Sequence, residues 1–384
     1  MGRAWAAHGL RERRLACQHN ADRGTTEERR APMVGQPAEF GLFFQLPQAD
    51  GQDVPQRYRD TIAQVVHGDR IGWTTAWLAE MHFVREFSVL PSPMLAMAAI
   101  AAQTERIRLG TGVALLPLTD PIRAAEDAAT LDIISDGRLD FGVGRGSIAE
   151  HFAGFNVSMG DRAGRFNEAL AVIQQAWSDG PVNFEGDHFS YRNVQVVPKP
   201  IQRPGPPLRI AANSDESFAR ASSDGWPVFA SPITAFPEDL GRRFASYHEA
   251  RPDAPATDAG ILLPVHVHES SETAKEEARA SLMSYLKVVS DTGVRSWTRR
   301  GGDLNDLPPL LARNRDSSYE QALDLMCAIG NPDEVTAKLN EIGQRYGVGH
   351  FITWCNAGGV IPHEQVTRSM SLFMQECAPN VTVG

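Results

Sequence analysis

The sequence predicts an α/β protein, and within that class a closed (β/α)8 TIM barrel with insertions. Three observations carry this. Eight short apolar segments, rich in branched and aromatic residues, recur along the chain, and helix-patterned sequence follows each. Such alternation builds parallel strands joined by right-handed crossovers. The length of 384 residues accommodates one barrel with long connections. Polar and small residues also collect where the predicted strands end, which is where barrels of this kind place their chemistry. An open, doubly wound sheet is the runner-up architecture.

Taken in order, "FGLFFQL" (Phe40 to Leu46) is a short apolar strand, and "RYRDTIAQVVHGDRIG" is a helix stopped by Gly72. "TTAWLAE" is the second strand. "SPMLAMAAIAAQT" is a helix, with Ser92 placed to cap it and Pro93 in its first turn. "IRLGTGVALL" is the third strand, and "DPIRAAEDAATLDIIS" is a helix opened by Asp120 and Pro121. "RLDFGVG", "PLRIAAN", "PVFAS", "GILLPVHVH" and "HFITWC" are the remaining strands. The helices "RFNEALAVIQQAW", "DESFARASSDG", "PEDLGRRFASYHEA", "SETAKEEARASLMSYLKVV", "NPDEVTAKLNEIGQRYG" and "HEQVTRSMSLFMQEC" lie among and after them. Two insertions stand out. Gly180 to Pro207 contains a hairpin-like stretch, and Asp291 to Ser318 reads as a long irregular loop rich in Arg and Gly. The second insertion could cover either end of the barrel.

The chain is 42% hydrophobic and 22% charged, with a net charge of −10, which argues against a nucleic-acid partner. No apolar run reaches the length of a membrane span, so no membrane association is expected. Cys17, Cys327, Cys355 and Cys377 lack CxxC or Cys/His spacing. They read as reduced thiols of a cytoplasmic protein with no metal site. Residues 1–37 are Arg-rich and show no sustained apolar period. They are expected to be a disordered tail, or sequence ahead of the true start, for which Met33 is a candidate. Residues 38–384 then form the barrel domain.

"RLDFGVGRGS" (Arg138 to Ser147) carries glycines at 142, 144 and 146. The spacing is not the dinucleotide fingerprint, and "SIAEHFAGFN" after it makes a poor helix start. Alternate glycines either mark a bulge or bend, or leave one strand face bare for a flat ligand. The other strand ends are "AEMHF" (with Glu80, Met81, His82), "GTGV", "AANS" and "WCNAGG". Any one of these residues has an ordinary packing role open to it. Five strand ends in the same state point to a site.

The run "SPMLAMAAIAAQTERIRLGTGVALLPLTDPIRAAEDAATLDIISDGRLDFGVGRGS", with "AEMHF", "RFNEALAVI" and "PLRIAANS", resembles the flavin-dependent, luciferase-like monooxygenases, above all their bacterial luciferase branch. The resemblance runs from about Phe40 to Met374 and is weakest between Glu238 and Ser318. It implies the same barrel fold, and a flavin at the C-terminal mouth: reduced FMN, or a deazaflavin in one branch. By that resemblance the glycine face of the fourth strand, with Gly144, gives space to the flavin ring. Gly112 and Val113 match the family's non-prolyl cis peptide. Arg145, Ser147, and Arg165 or Arg162 would meet the flavin phosphate. Asn213, Ser214 and Ser217 would hold it at a helix N-terminus.

The resemblance implies oxygen activation by reduced flavin and oxygenation of a small, apolar organic substrate. His82 is the candidate acid/base, because neutral imidazole takes up a proton near pH 7, and Glu80 would orient it. Luciferases have two histidines after the glutamate and a cysteine on the fourth strand. Here Met81 and Gly144 stand at the first histidine and at the cysteine. Light emission from aldehydes is therefore not implied. No reductase module is visible, so a separate flavin reductase is expected as a partner, and a homodimer as the assembly. A deazaflavin-dependent hydride-transfer enzyme and a non-catalytic flavin-binding protein are the alternatives.

Overall fold

The computed structural model describes residues 37–383. The expected tail lies almost wholly outside the described residues. Eight parallel strands close on themselves: Glu39–Phe44, Thr75–Leu78, Arg108–Thr111, Leu139–Gly144, Leu208–Ala211, Val228–Ala230, Ala259–Val267 and His350–Trp354. The ring closes through Phe40 beside Phe351, and Ala259 beside Val228. The (β/α)8 barrel is thus the observed architecture, and the open sheet is excluded.

Local sequence explains the helix starts. Asp53, Asp120, Ser270 and Asn331 each accept a hydrogen bond from a backbone N–H in the first turn of the helix that follows. The first helix, Val54–Ile71, therefore begins three residues before the expected Arg57, and Gly72 ends it in the left-handed region at φ 100°. Ser92 departs from expectation: it makes no capping hydrogen bond, and the helix Pro93–Ala101 starts on Pro93 alone.

Two longer elements differ from the sequence reading. The third strand is broken rather than continuous. It stops at Thr111, passes through the cis peptide Gly112–Val113, and resumes as a short strand, Ala114–Leu115. The Asp291 to Ser318 stretch is not an irregular loop. One helix runs unbroken from Ser271 to Arg299, and a second covers Pro309–Asp316. Apolar residues on the first continue past Val289, but polar neighbours dilute the pattern. A further strand, Ala328–Gly330, lies beside the seventh barrel strand. The expected hairpin is present as Val182–Glu185 paired with Ser190–Val194.

Strand alternation divides the core. Leu139, Phe141 and Val143 face the surrounding helices in one apolar cluster. Phe43, Trp77, Phe229 and Trp354 fill the barrel in another. The Trp77 indole occupies the centre, and glycines make room for it. A Cβ at Gly110 would lie 2.2 Å from the indole, and one at Gly41 2.9 Å from its Nε1. At Gly142 a Cβ would lie 2.0 Å from the Thr111 carbonyl oxygen. The glycine face of the fourth strand does point inward, as expected. Through Gly142, however, the space is taken by protein, and it is Gly144 and Gly146, at the rim, that border open volume. Below Trp77 the barrel floor is charged. Arg108 pairs with Asp140 at 2.7 Å, and the half-buried Arg209 guanidinium lies over the indole at 5.7 Å.

Candidate functional site

The strand ends open into a cavity with two connected lobes that share Met81, Gly112, Ser147, Ile148, Ala211 and Asn213. The polar lobe, about 250 Å³, is bordered by Glu80, Val113, Gly144, Arg145, His151, Arg162 and Ser217. The larger lobe, about 440 Å³, is walled by Phe43, Phe87, Phe229, Tyr285, Trp354 and Ile233. Among the described residues, no charged side chain lines this second lobe.

The two helices that replace the expected loop form part of its wall. Val289, Thr292 and Gly293 come from the long helix, and Leu310, Leu311 and Asn314 from the short one. The short helix is fixed to the loop after the sixth strand. Arg313 donates to the Pro232 and Ala235 carbonyls at 2.8 and 3.0 Å, and the Asn314 amide donates to Ile233 at 3.0 Å. The insertion therefore lies over the C-terminal end. The long helix is also tied to the fourth-strand loop: Ser296 Oγ accepts from the Ala149 N–H at 3.0 Å and donates to the Ser147 carbonyl at 3.2 Å. Tyr285 and Trp354 pack edge-to-face at 4.3 Å. Aromatic walls of this kind keep water from the reaction centre.

Of the two expected catalytic residues, only Glu80 reaches the cavity. Its carboxylate accepts twice, from His82 Nε2 at 2.9 Å and from the Leu115 backbone N–H at 3.0 Å. The His82 ring sits behind it, packed edge-on against Phe155 at 4.8 Å, and does not line either lobe. Residues 80–82 lie beyond the strand Thr75–Leu78, so strand alternation does not place them. The Leu115 N–H holds the Glu80 carboxylate at the cavity wall, and packing on Phe155 holds the His82 ring behind it. His82 thus meets the cavity through Glu80 rather than directly.

The expected cofactor residues divide similarly. Gly112, Val113, Gly144, Arg145, Ser147, Asn213 and Ser217 all border the polar lobe. Arg165 does not. Its Nε donates to the Pro117 carbonyl at 2.7 Å, and its guanidinium lies over the Phe189 ring. Arg162, one helical turn earlier, borders the lobe instead. Ser214 is spent on capping. It and Ser217 form a reciprocal box at the start of the helix Asp215–Asp224. Arg145 is paired with Glu216 at 2.9 Å, but Glu216 is largely exposed and free to turn away.

His151 was not singled out from the sequence, because "SIAEHFAGFN" does not read as a helix start. The short helix Ala149–Gly154 forms there without a side-chain cap. His151 is 1% exposed, and its Nε2 accepts from the His82 backbone N–H at 3.3 Å. Burial, reinforced by the neighbouring His82, holds its pKa down to about 4.

The donor set suits a flat, anionic ligand. Two guanidinium groups and an amide surround the polar lobe, and side-chain-free backbone at Gly112 and Gly144 borders it. Flavin phosphate and ring match this set by charge and shape.

Comparison with known proteins agrees. The sequence profile described as Luciferase-like monooxygenase matches residues 38–350. The oxygenase component of the flavin-dependent trigonelline monooxygenase of Acinetobacter baylyi is 30% identical over 353 residues, covering 88% of this chain and 94% of that one. The crystal structure of monooxygenase RslO1 from Streptomyces bottropensis superposes with a TM-score of 0.77, at 24% identity over 89% of this chain and 99% of that one. The oxygenating constituent of 3,6-diketocamphane monooxygenase from Pseudomonas putida, solved in complex with FMN, superposes at 0.75 with 20% identity. That alignment covers 91% of this chain and all of the other.

Proposed function

Because the chain belongs to the luciferase-like, flavin-dependent monooxygenase family, we propose that it uses reduced FMN and oxygen to oxygenate a small, uncharged organic substrate. The observation that carries this reading is the pairing of a cation-bearing lobe with a larger aromatic lobe lined, among the described residues, by no charge. Bound reduced flavin supplies the electrons that activate oxygen for transfer of one atom to the substrate.

The chain's own residues would do the rest. Arg145, Arg162 and Asn213 bind the phosphate and sugar-alcohol chain, beside the capped helix start at Ser217. Gly112 and Gly144 leave room for the ring. Phe43, Phe87, Phe229 and Trp354 hold an apolar substrate and exclude water. Glu80 holds or moves a proton at its carboxylate, oriented by His82 Nε2. A substrate carboxylate would find no cation in the larger lobe, so charged compounds are disfavoured.

The relative named as an oxygenase component supports delivery of reduced flavin by a separate reductase. A homodimer is supported by exposed Leu95, Ile133 and Ile134 on two neighbouring helices. Residues 38–384 are taken as the catalytic unit, acting in the cytoplasm.

The test is a panel of uncharged aromatic compounds incubated with FMN, NADH and a supplied flavin reductase under ¹⁸O₂. The expected result is a product carrying one labelled atom. Substrate reduction or dehydrogenation that proceeds without oxygen on a deazaflavin would replace this reading with hydride transfer.

A further inference from the structure

One imidazole borders the polar lobe, and it comes from an unexpected element. Beyond the second strand, Met81 borders the cavity and His82 does not, so this segment presents no histidine to it. The helix Ala149–Gly154 brings His151 to the same wall. This ring is held at one nitrogen only. Nε2 accepts the His82 backbone N–H at 3.3 Å, and no protein group among the described residues takes a hydrogen bond from Nδ1. A ring nitrogen that accepts carries no proton, so a neutral ring must carry its proton on Nδ1. The environment keeps the ring neutral, since burial pushes its pKa down to about 4. The His82 ring lies edge-on at 5.6 Å and adds to that effect. The result is a neutral ring, held at Nε2 on a side chain that borders the cavity, whose Nδ1–H is not used by protein among the described residues.

Resting on the flavin reading above, we infer that His151 is a cofactor-contacting residue, whose Nδ1–H donates a hydrogen bond to an acceptor atom of the bound flavin. No proton is transferred in this role. The ring gives the cofactor an uncharged donor beside the Glu80 carboxylate, and its Nε2 contact fixes the orientation. The structural duty (Nε2) and the ligand duty (Nδ1) fall on different atoms, which makes them separable. His151→Asn places an amide N–H near Nδ1 and abandons Nε2. His151→Gln places a carbonyl oxygen near Nε2 and abandons Nδ1. His151→Phe keeps ring volume and loses both.

Two measurements test this. In the ligand-free protein, long-range ¹H–¹⁵N spectra of labelled histidine should show His151 as the Nδ1–H tautomer at pH 7; the Nε2–H tautomer would overturn the inference whatever the cofactor. In anaerobic titrations with reduced FMN, His151→Gln and His151→Phe should each bind about tenfold more weakly than wild type, the usual worth of one such bond, while His151→Asn stays within about threefold. Retained affinity in His151→Gln with loss in His151→Asn would make the ring a prop for the His82 backbone. Unchanged affinity in all three would likewise overturn the inference. Failure of the cofactor reading would look different, because wild type itself would then not bind FMN. With a deazaflavin that does bind, the same three variants should rank in the same order, and the reversed or flat order would again overturn the contact.

Discussion

At the residue scale, contacts made beyond the second strand decide which group can touch a ligand: the Leu115 N–H holds Glu80, and the His82 ring packs on Phe155. Neither contact is visible in "TTAWLAEMHF", where residue chemistry pointed to His82 instead. The carboxylate of Glu80 is therefore the better place to break the proton chemistry. Glu80→Gln should lower coupled turnover by about 10²-fold or more, and His82→Ala by less, with hydrogen peroxide release rising in both. A larger loss in His82→Ala than in Glu80→Gln would return the acid/base role to the imidazole. The arginines separate in the same way. Arg162→Met should weaken FMN binding about tenfold, while Arg165→Met leaves it unchanged, since Arg165 is spent on Pro117 and Phe189. From sequence alone the two could not be told apart, because both lie in the first turn of one helix. His151 also sets a pH dependence. Its folded pKa of about 4 lies below the ordinary value of 6.5, so the unfolded chain binds more protons between them. Stability is full above about pH 6.5 and falls as pH drops toward 4, by about 3 kcal/mol from this group. Urea midpoints across that window should slope less steeply in His151→Gln. An identical slope would remove His151 from the account.

At the element scale, strand and helix identity were legible because each strand is short, apolar and bounded by turn residues. What the fourth-strand glycines are for was not legible. Gly142 meets Thr111 and Trp77, which lie on other strands, and only the register of the closed sheet brings it, with Gly41 of the first strand and Gly110 of the third, around one indole. Gly110→Ala should overpack that centre and destabilise the protein by about 1–3 kcal/mol. Gly142→Ala should be at least as costly, because its Cβ meets backbone rather than a side chain. A melting temperature unchanged in both variants would mean that the indole has room to move. The long helix was missed past Val289 for a different reason. Its inward-facing residues there include Thr292, Gly293 and Ser296, which serve the cavity wall and the contact to Ser147 rather than an apolar core. Function had diluted the pattern that marks a helix.

At the scale of the whole molecule, the eight-strand count predicted the barrel, and the barrel predicted which strand ends would meet. Gly112, Gly144 with Arg145, and Asn213 with Ser217 come from the ends of three different strands, yet they surround one lobe. The charge segregation between the two lobes was not legible, because it depends on the helices laid over the mouth. The central claim is that the polar lobe binds reduced flavin by its phosphate. The most direct measurement is an anaerobic titration with reduced FMN and with reduced riboflavin, on wild type and on Arg145→Glu. The account predicts saturable FMN binding by wild type, binding of riboflavin at least about tenfold weaker, and loss of the FMN preference in Arg145→Glu. Equal affinity for FMN and riboflavin, unaffected by Arg145→Glu, would contradict it.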